Sequence, residues 1–162
     1  MPSSHLEICE ILGELGEMAP AGYAIGLHIT YTTPKFMFQT YKREWLEYYS
    51  QNGLIMADPM VAWGFENSGT CRWSSLTDPQ GVMAKAAEFG LKYGVVCADN
   101  SNDSLSIAGF ARGDREFDDA ETEKVATTLA RLHSETADAG ALDDSTVKQL
   151  HAMSVLVTHP TA

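Results

Sequence analysis

Positive charge is scarce in this chain. Eleven Lys and Arg stand against twenty-two Asp and Glu, a formal net charge of -11, so phosphate backbones are repelled and binding of DNA or RNA by counterion release is not expected of this chain alone. Cysteine is scarce as well. Cys9, Cys71 and Cys97 are odd in number and widely separated, without CxxC spacing, which excludes a secreted disulfide scaffold and predicts buried free thiols. No segment approaches the roughly 18 apolar residues that span a bilayer. The start, Met1-Pro2-Ser3-Ser4-His5-Leu6-Glu7, lacks the basic and apolar regions of a signal peptide, so a soluble, cytoplasmic protein with no membrane partner is expected. HExxH, GxSxG, P-loop and GxGxxG patterns are all missing. The histidines His5, His28, His133, His151 and His159 show no ligand spacing. Neither an enzyme nor a metal or cofactor is therefore expected.

What is present is enough for one domain with a real core: 162 residues, 44% apolar. Ser4 and Glu7 have capping-box spacing, and Ile8, Ile11, Leu12 and Leu15 repeat at i, i+3, i+4 and i+7, predicting an amphipathic helix closed by Pro20 and Gly22. Stretches 23–30 and 36–40, rich in aromatic and branched residues and split by a Thr-Thr-Pro turn, read as paired strands. Residues 41–52 are helical in pattern, with Gly53 placed to end them. Asp58-Pro59 starts a short helix through Val61, Ala62 and Phe65, and Asp78-Pro79 starts another that carries Val82, Ala86 and Phe89 on one face. Strands at 93–98 and 105–111 flank the turn-forming run 99–103 as a hairpin. Asp118 and Glu121 cap a helix reaching about Thr136, with Val125, Leu129 and Leu132 as its apolar stripe. Residues 137–146 are small and acidic, a linker or helix junction, and a short helix over 146–153 follows. This order predicts the α+β class, a mainly antiparallel sheet covered by helices.

Tyr41, Trp45 and Tyr49 recur at i, i+4 and i+8, so three aromatic side chains lie along one helix face. A core stripe explains such spacing. Trp and Tyr nevertheless carry an N–H or O–H that needs a partner when buried, and here three such groups point the same way. Asp58 serves equally as a plain N-cap before Pro59, and Trp73 as one more core aromatic.

Taken together, Tyr41-x3-Trp45-x3-Tyr49-x8-Asp58-Pro59-x13-Trp73 resembles the signature of LuxR-type autoinducer-binding domains. Gly90-Leu91-Lys92-Tyr93-Gly94-Val95 is similar to that family's helix-to-strand junction, and the resemblance runs over about residues 20–135. It implies an α/β/α sandwich whose five-stranded, mainly antiparallel sheet carries helices on both faces. It also implies a sensor domain of a quorum-sensing transcriptional regulator, one that binds an N-acyl homoserine lactone and catalyses nothing. By resemblance, the Trp45 indole N–H donates to the lactone carbonyl, Asp58 accepts from the ligand's amide N–H, and Tyr41 donates to the amide carbonyl. Tyr49 and Trp73 pack around the ring and chain. Candidates for the acyl slot are Val61, Val82, Val95, Cys97, Ser106 and Ala108, each of which also reads as ordinary core. Ser106 is the candidate partner for a 3-oxo or 3-hydroxy group. Leu46 and Met60 depart from the family pattern, where some relatives carry Arg and a small hydroxyl residue.

The expected organisation is a binding domain over residues 1–138 and a linker or tail over 139–162, leading toward a helix-turn-helix that the chain lacks. Two histories fit: a longer regulator cut at its domain boundary, or a solo domain that pairs with a full-length relative and blocks it. A homodimer or such a heterodimer is the expected assembly, with the helix over 118–136 as the pairing surface. A PAS- or GAF-like sensor of another small molecule is the alternative, since helix-covered antiparallel sheets look alike from sequence.

Overall fold

Ile8, Ile11, Leu12 and Leu15 are all buried along helix α1 (His5–Met18), as their spacing requires. The computed structural model describes residues 5–31 and 33–137. The Ser4 cap, the stretch after Ala137 and the short helix over 146–153 lie outside the described residues. Two strands, β1 (Gly22–Ile29) and β2 (Phe36–Gln39), pair antiparallel, and α2 (Arg43–Gln51) follows. Next, α3 (Pro59–Glu66) starts at Asp58, whose Oδ1 accepts from the Met60 N–H at 2.9 Å.

A third strand, β3 (Gly69–Arg72), has no counterpart in the sequence pattern, because it is short and its first half is exposed. Helix α4 (Val82–Glu88) begins later than the Asp78-Pro79 signal predicts. Gly81, at φ +70°, turns the chain first, and Asp78 Oδ2 reaches forward to the N–H groups of Met83 and Ala84 at 3.0 and 3.1 Å. The predicted hairpin is β4 (Tyr93–Asp99) with β5 (Leu105–Arg112). Helix α5 (Asp119–Glu135) opens with the expected reciprocal cap: Asp118 Oδ1 accepts from the Glu121 N–H at 2.7 Å, and Glu121 Oε1 from the Asp118 N–H at 3.0 Å.

The five strands form one antiparallel sheet in the order β2-β1-β5-β4-β3. On one face Tyr23, Ile25, Leu27, Phe36, Phe38 and Phe110 pack against α1 and α5. Trp45, Trp73, Val82, Ala86 and Leu91 cover the other face. The arrangement is the α/β/α sandwich of the α+β class.

Where β1 bulges between Gly26 and Ile29, a buried polar clasp ties the sheet to the end of α5. His28 Nε2 lies 3.0 Å from the His133 carbonyl and 2.9 Å from Thr136 Oγ1. A carbonyl only accepts, so Nε2 carries the proton, and Nδ1 accepts from Ser104 Oγ at 2.7 Å. His133 repeats the pattern: Nε2–H donates to the Ser101 carbonyl at 2.9 Å, and Nδ1 accepts from Ser106 Oγ at 2.7 Å. Ser106 Oγ in turn accepts from the His28 N–H at 3.1 Å. Every nitrogen of the two rings thus has a partner.

Candidate ligand-binding site

Side chains alternate between sheet faces with period two, and in β1 that alternation sorts residues by size. Tyr23, Ile25 and Leu27 point to α1 and α5, leaving Gly22, Ala24 and Gly26 for the other face. In β5, Gly109 and Ala111 share that face with the larger Ile107, and in β4 Gly94, Val96 and Ala98 do so. The result is a sheet face mostly shaved of bulk beneath α2 and α3. It floors a cavity of about 180 Å³ lined by residues including Ala24, Gly26, Tyr41, Trp45, Asp58 and Trp73.

Two glycines are required by close approach. A methyl at Gly94 would overlap the Trp73 indole and crowd the Phe110 carbonyl, so only glycine lets Trp73 lie on the strand. A methyl at Gly64 would come within 2.6 Å of Ile107. Glycine there lets α3 sit down on β5 and close the cavity's flank.

The polar groups gather at one end. Tyr41 O–H donates to the Gly109 carbonyl at 3.2 Å, and Tyr49 O–H donates to Asp58 Oδ2 at 2.8 Å. Burial and then the nearby Asp58 charge hold both phenols far above their ordinary range, so they remain donors. Burial also raises the Asp58 carboxyl, against the pull of the Tyr49 O–H and the Met60 N–H toward the ionised form. Trp45 is wedged against Tyr49 and Phe89, ring centroids 5.6 and 5.4 Å away. Its indole N–H makes no hydrogen bond among the described residues. An indole donor and a buried carboxyl in the lining of one cavity suit a neutral ligand that presents one carbonyl and one N–H or O–H.

Of the residues that sequence reasoning proposed, Tyr41, Trp45, Tyr49, Asp58, Val61 and Trp73 line this cavity. Val82 packs behind Trp45 and Trp73 rather than in the wall. Ser106 and Ala108 stand on the opposite sheet face, as do Val95 and Cys97. The period-two alternation of β5 presents Ile107 and Gly109 to the cavity instead, and Ser106 is taken up by the histidine clasp. Leu46 and Met60, the two departures from the family pattern, both line the cavity. Sequence reasoning missed Ala24, Gly26, Met37, Gln39, Ile107 and Gly109. Their signal was the small-large alternation of Gly22-Tyr23-Ala24-Ile25-Gly26-Leu27.

Several solved structures share the fold. The N-acylhomoserine lactone dependent LuxR-family transcription factor CepR2 of Burkholderia cenocepacia is 20% identical with a TM-score of 0.59, covering 78% of this chain and 79% of that one. Residues 1–171 of Escherichia coli SdiA in solution are 22% identical with a TM-score of 0.60, covering 80% and 82%. SdiA in complex with octanoyl-rac-glycerol is 18% identical with a TM-score of 0.60, covering 87% of this chain but 64% of that one. At these identities the likeness is one of fold. No curated protein matches the sequence closely enough to count as a relative. The sequence profile of the autoinducer-binding domain, however, matches residues 19–137, and over that stretch lie the whole sheet and every residue of the polar end; the chain belongs to the autoinducer-binding domain family.

Proposed function

We propose that this chain is the signal-sensing domain of a LuxR-type quorum-sensing regulator, and that its cavity binds an N-acyl homoserine lactone. The observation that carries the reading is that Trp45, Asp58 and Tyr41 line one otherwise mainly apolar cavity. Trp45 donates to the lactone carbonyl and Asp58 accepts from the amide N–H. Tyr41 turns its O–H from the Gly109 carbonyl to the ligand's amide carbonyl, exchanging one hydrogen bond for another at little net cost. Tyr49 steadies Asp58, and Trp73 and Val61 supply apolar wall. The family is one of ligand-binding domains, which supports a ligand that is held and not converted.

The binding domain spans residues 1–138, with 139–162 as the link to a DNA-reading half. Pairing runs through α5, with a second copy or a full-length regulator, in the cytoplasm. Among the described residues no helix is long and apolar enough to cross a membrane.

Trp45→Phe tests the head-group assignment. N-octanoyl homoserine lactone at a hundred times its Kd is expected to stabilise the wild type by about 2.7 kcal/mol, a rise of several degrees in Tm. The variant, with a ligand carbonyl left unpaired, is expected to bind roughly tenfold or more weakly. If no member of an acyl homoserine lactone panel moves Tm, the proposal fails.

A further inference from the structure

The cavity's polar end is its buried end. Trp45, Trp73, Val96 and Asp58 are each no more than 6% exposed, whereas Phe65, late on α3 beside the Gly64 that meets Ile107, is 45% exposed. The strand register orders what lies between them. Gln39, Ala24, Gly109 and Val96 form one row across the sheet, next to the Tyr41 hydroxyl. Met37, Gly26 and Ile107 form the next row, two residues further along each strand. Beyond it stand Ile29 and Pro34, and apart from Gln39 the walls past the polar end are apolar. Ile107 meets α3 at Gly64 and closes that flank. The course therefore runs over Gly26, which has no side chain of its own and is flanked by Pro34, Met37 and Ile29.

Resting on the reading of the cavity as an acyl homoserine lactone site, we infer that the ligand enters head-first and that its chain passes over Gly26 to leave its far end at the surface beside Phe65. The ligand class is then the long-chain one, because an open-ended slot imposes no upper limit on length. Each methylene that lies inside the slot strengthens binding by about fourfold, and each one beyond the mouth adds little. Gly26 is the specificity-determining position. A Cβ there would rest at 3.5 Å from Pro34, 3.6 Å from Met37 Sδ and 3.7 Å from Ile29, ordinary contacts, so a methyl fits while any longer side chain enters the chain's path.

The test is calorimetric titration of the 162-residue protein with the butanoyl, hexanoyl, octanoyl, decanoyl, dodecanoyl and tetradecanoyl homoserine lactones. Affinity is expected to climb steeply and then level off. In Gly26→Val the ratio of dodecanoyl to hexanoyl affinity is expected to fall at least tenfold. Phe65→Ser, at the mouth, is expected to remove part of the long-chain gain, and circular dichroism checks that both variants fold. Affinity that collapses beyond a given length would overturn the open-ended slot while leaving the head-group reading intact. So would an unchanged ratio in folded Gly26→Val. Failure of every homologue to bind would overturn both.

Discussion

Asp58 has three claims on one carboxyl: it caps α3 through Met60, accepts from Tyr49, and in the proposed complex accepts from the ligand. Because burial lifts its pKa above the ordinary 3.8, the folded chain holds that proton at pH values where the unfolded chain has released it. Stability therefore falls as pH rises through the folded pKa, so the buried carboxyl is a cost to the free protein once it ionises. Asp58→Asn keeps a competent cap and removes the charge. The free variant is expected to melt at or above the wild-type temperature, yet to bind octanoyl homoserine lactone about tenfold to a hundredfold more weakly, since its amide offers a donor where an acceptor is needed. A variant that melted several degrees lower and still bound normally would show the carboxylate to be structural. Trp73 adds a contrasting case: its indole nitrogen is buried without a hydrogen-bond partner among the described residues, so its place in the wall rests on shape and on Gly94 beneath it.

Among the elements, α5 is held to the sheet by apolar packing along its length and by the histidine clasp at its end. Burial, and then the neighbouring His133, push His28 from the ordinary 6.5 down to about 4. Lys35 acts in the same direction and Asp99 against it. Between pH 6.5 and about 4 the unfolded chain binds a proton there that the folded chain refuses, so stability is expected to decline as pH falls across that window. His28→Asn, which tolerates the left-handed backbone at φ 53°, is expected to be less stable but to show a flatter dependence of Tm on pH over the same range. An equal slope in both proteins would remove His28 from the account. The elements were largely legible in the sequence because caps and periodicity are local: the Asp118 box, the Asp58 cap and the Gly53 stop all lie where their neighbours put them. Short, half-exposed β3 was not, since four residues carry no period. The site was half legible. Tyr41, Trp45, Tyr49, Asp58 and Trp73 announce themselves by polar groups on apolar frames, but a floor made of Gly and Ala announces nothing, and placing Ser106 rather than Ile107 in the slot was a one-residue matter of strand phase.

At the scale of the whole molecule, charge decides which ligands reach the cavity. A chain with a formal net charge of -11 surrounds its entrance with repulsion for anions, and the buried end adds Asp58 itself. An intact lactone is neutral, whereas the same molecule with its ring hydrolysed carries a carboxylate at the head that must enter first. Brought to about 4 Å from Asp58 at an effective dielectric constant near 20, that second charge costs on the order of 4 kcal/mol, roughly a thousandfold in Kd. Screening by salt relieves the surface contribution but little of the buried one. Octanoyl homoserine lactone opened by mild alkali is therefore expected to leave Tm unmoved at concentrations where the closed ring shifts it by several degrees. Raising the salt concentration is not expected to restore binding. Comparable stabilisation by the two forms would mean that the head group lies in solvent and that the tail, not the polar end, occupies the buried pocket, reversing the orientation on which the roles of Trp45 and Asp58 depend.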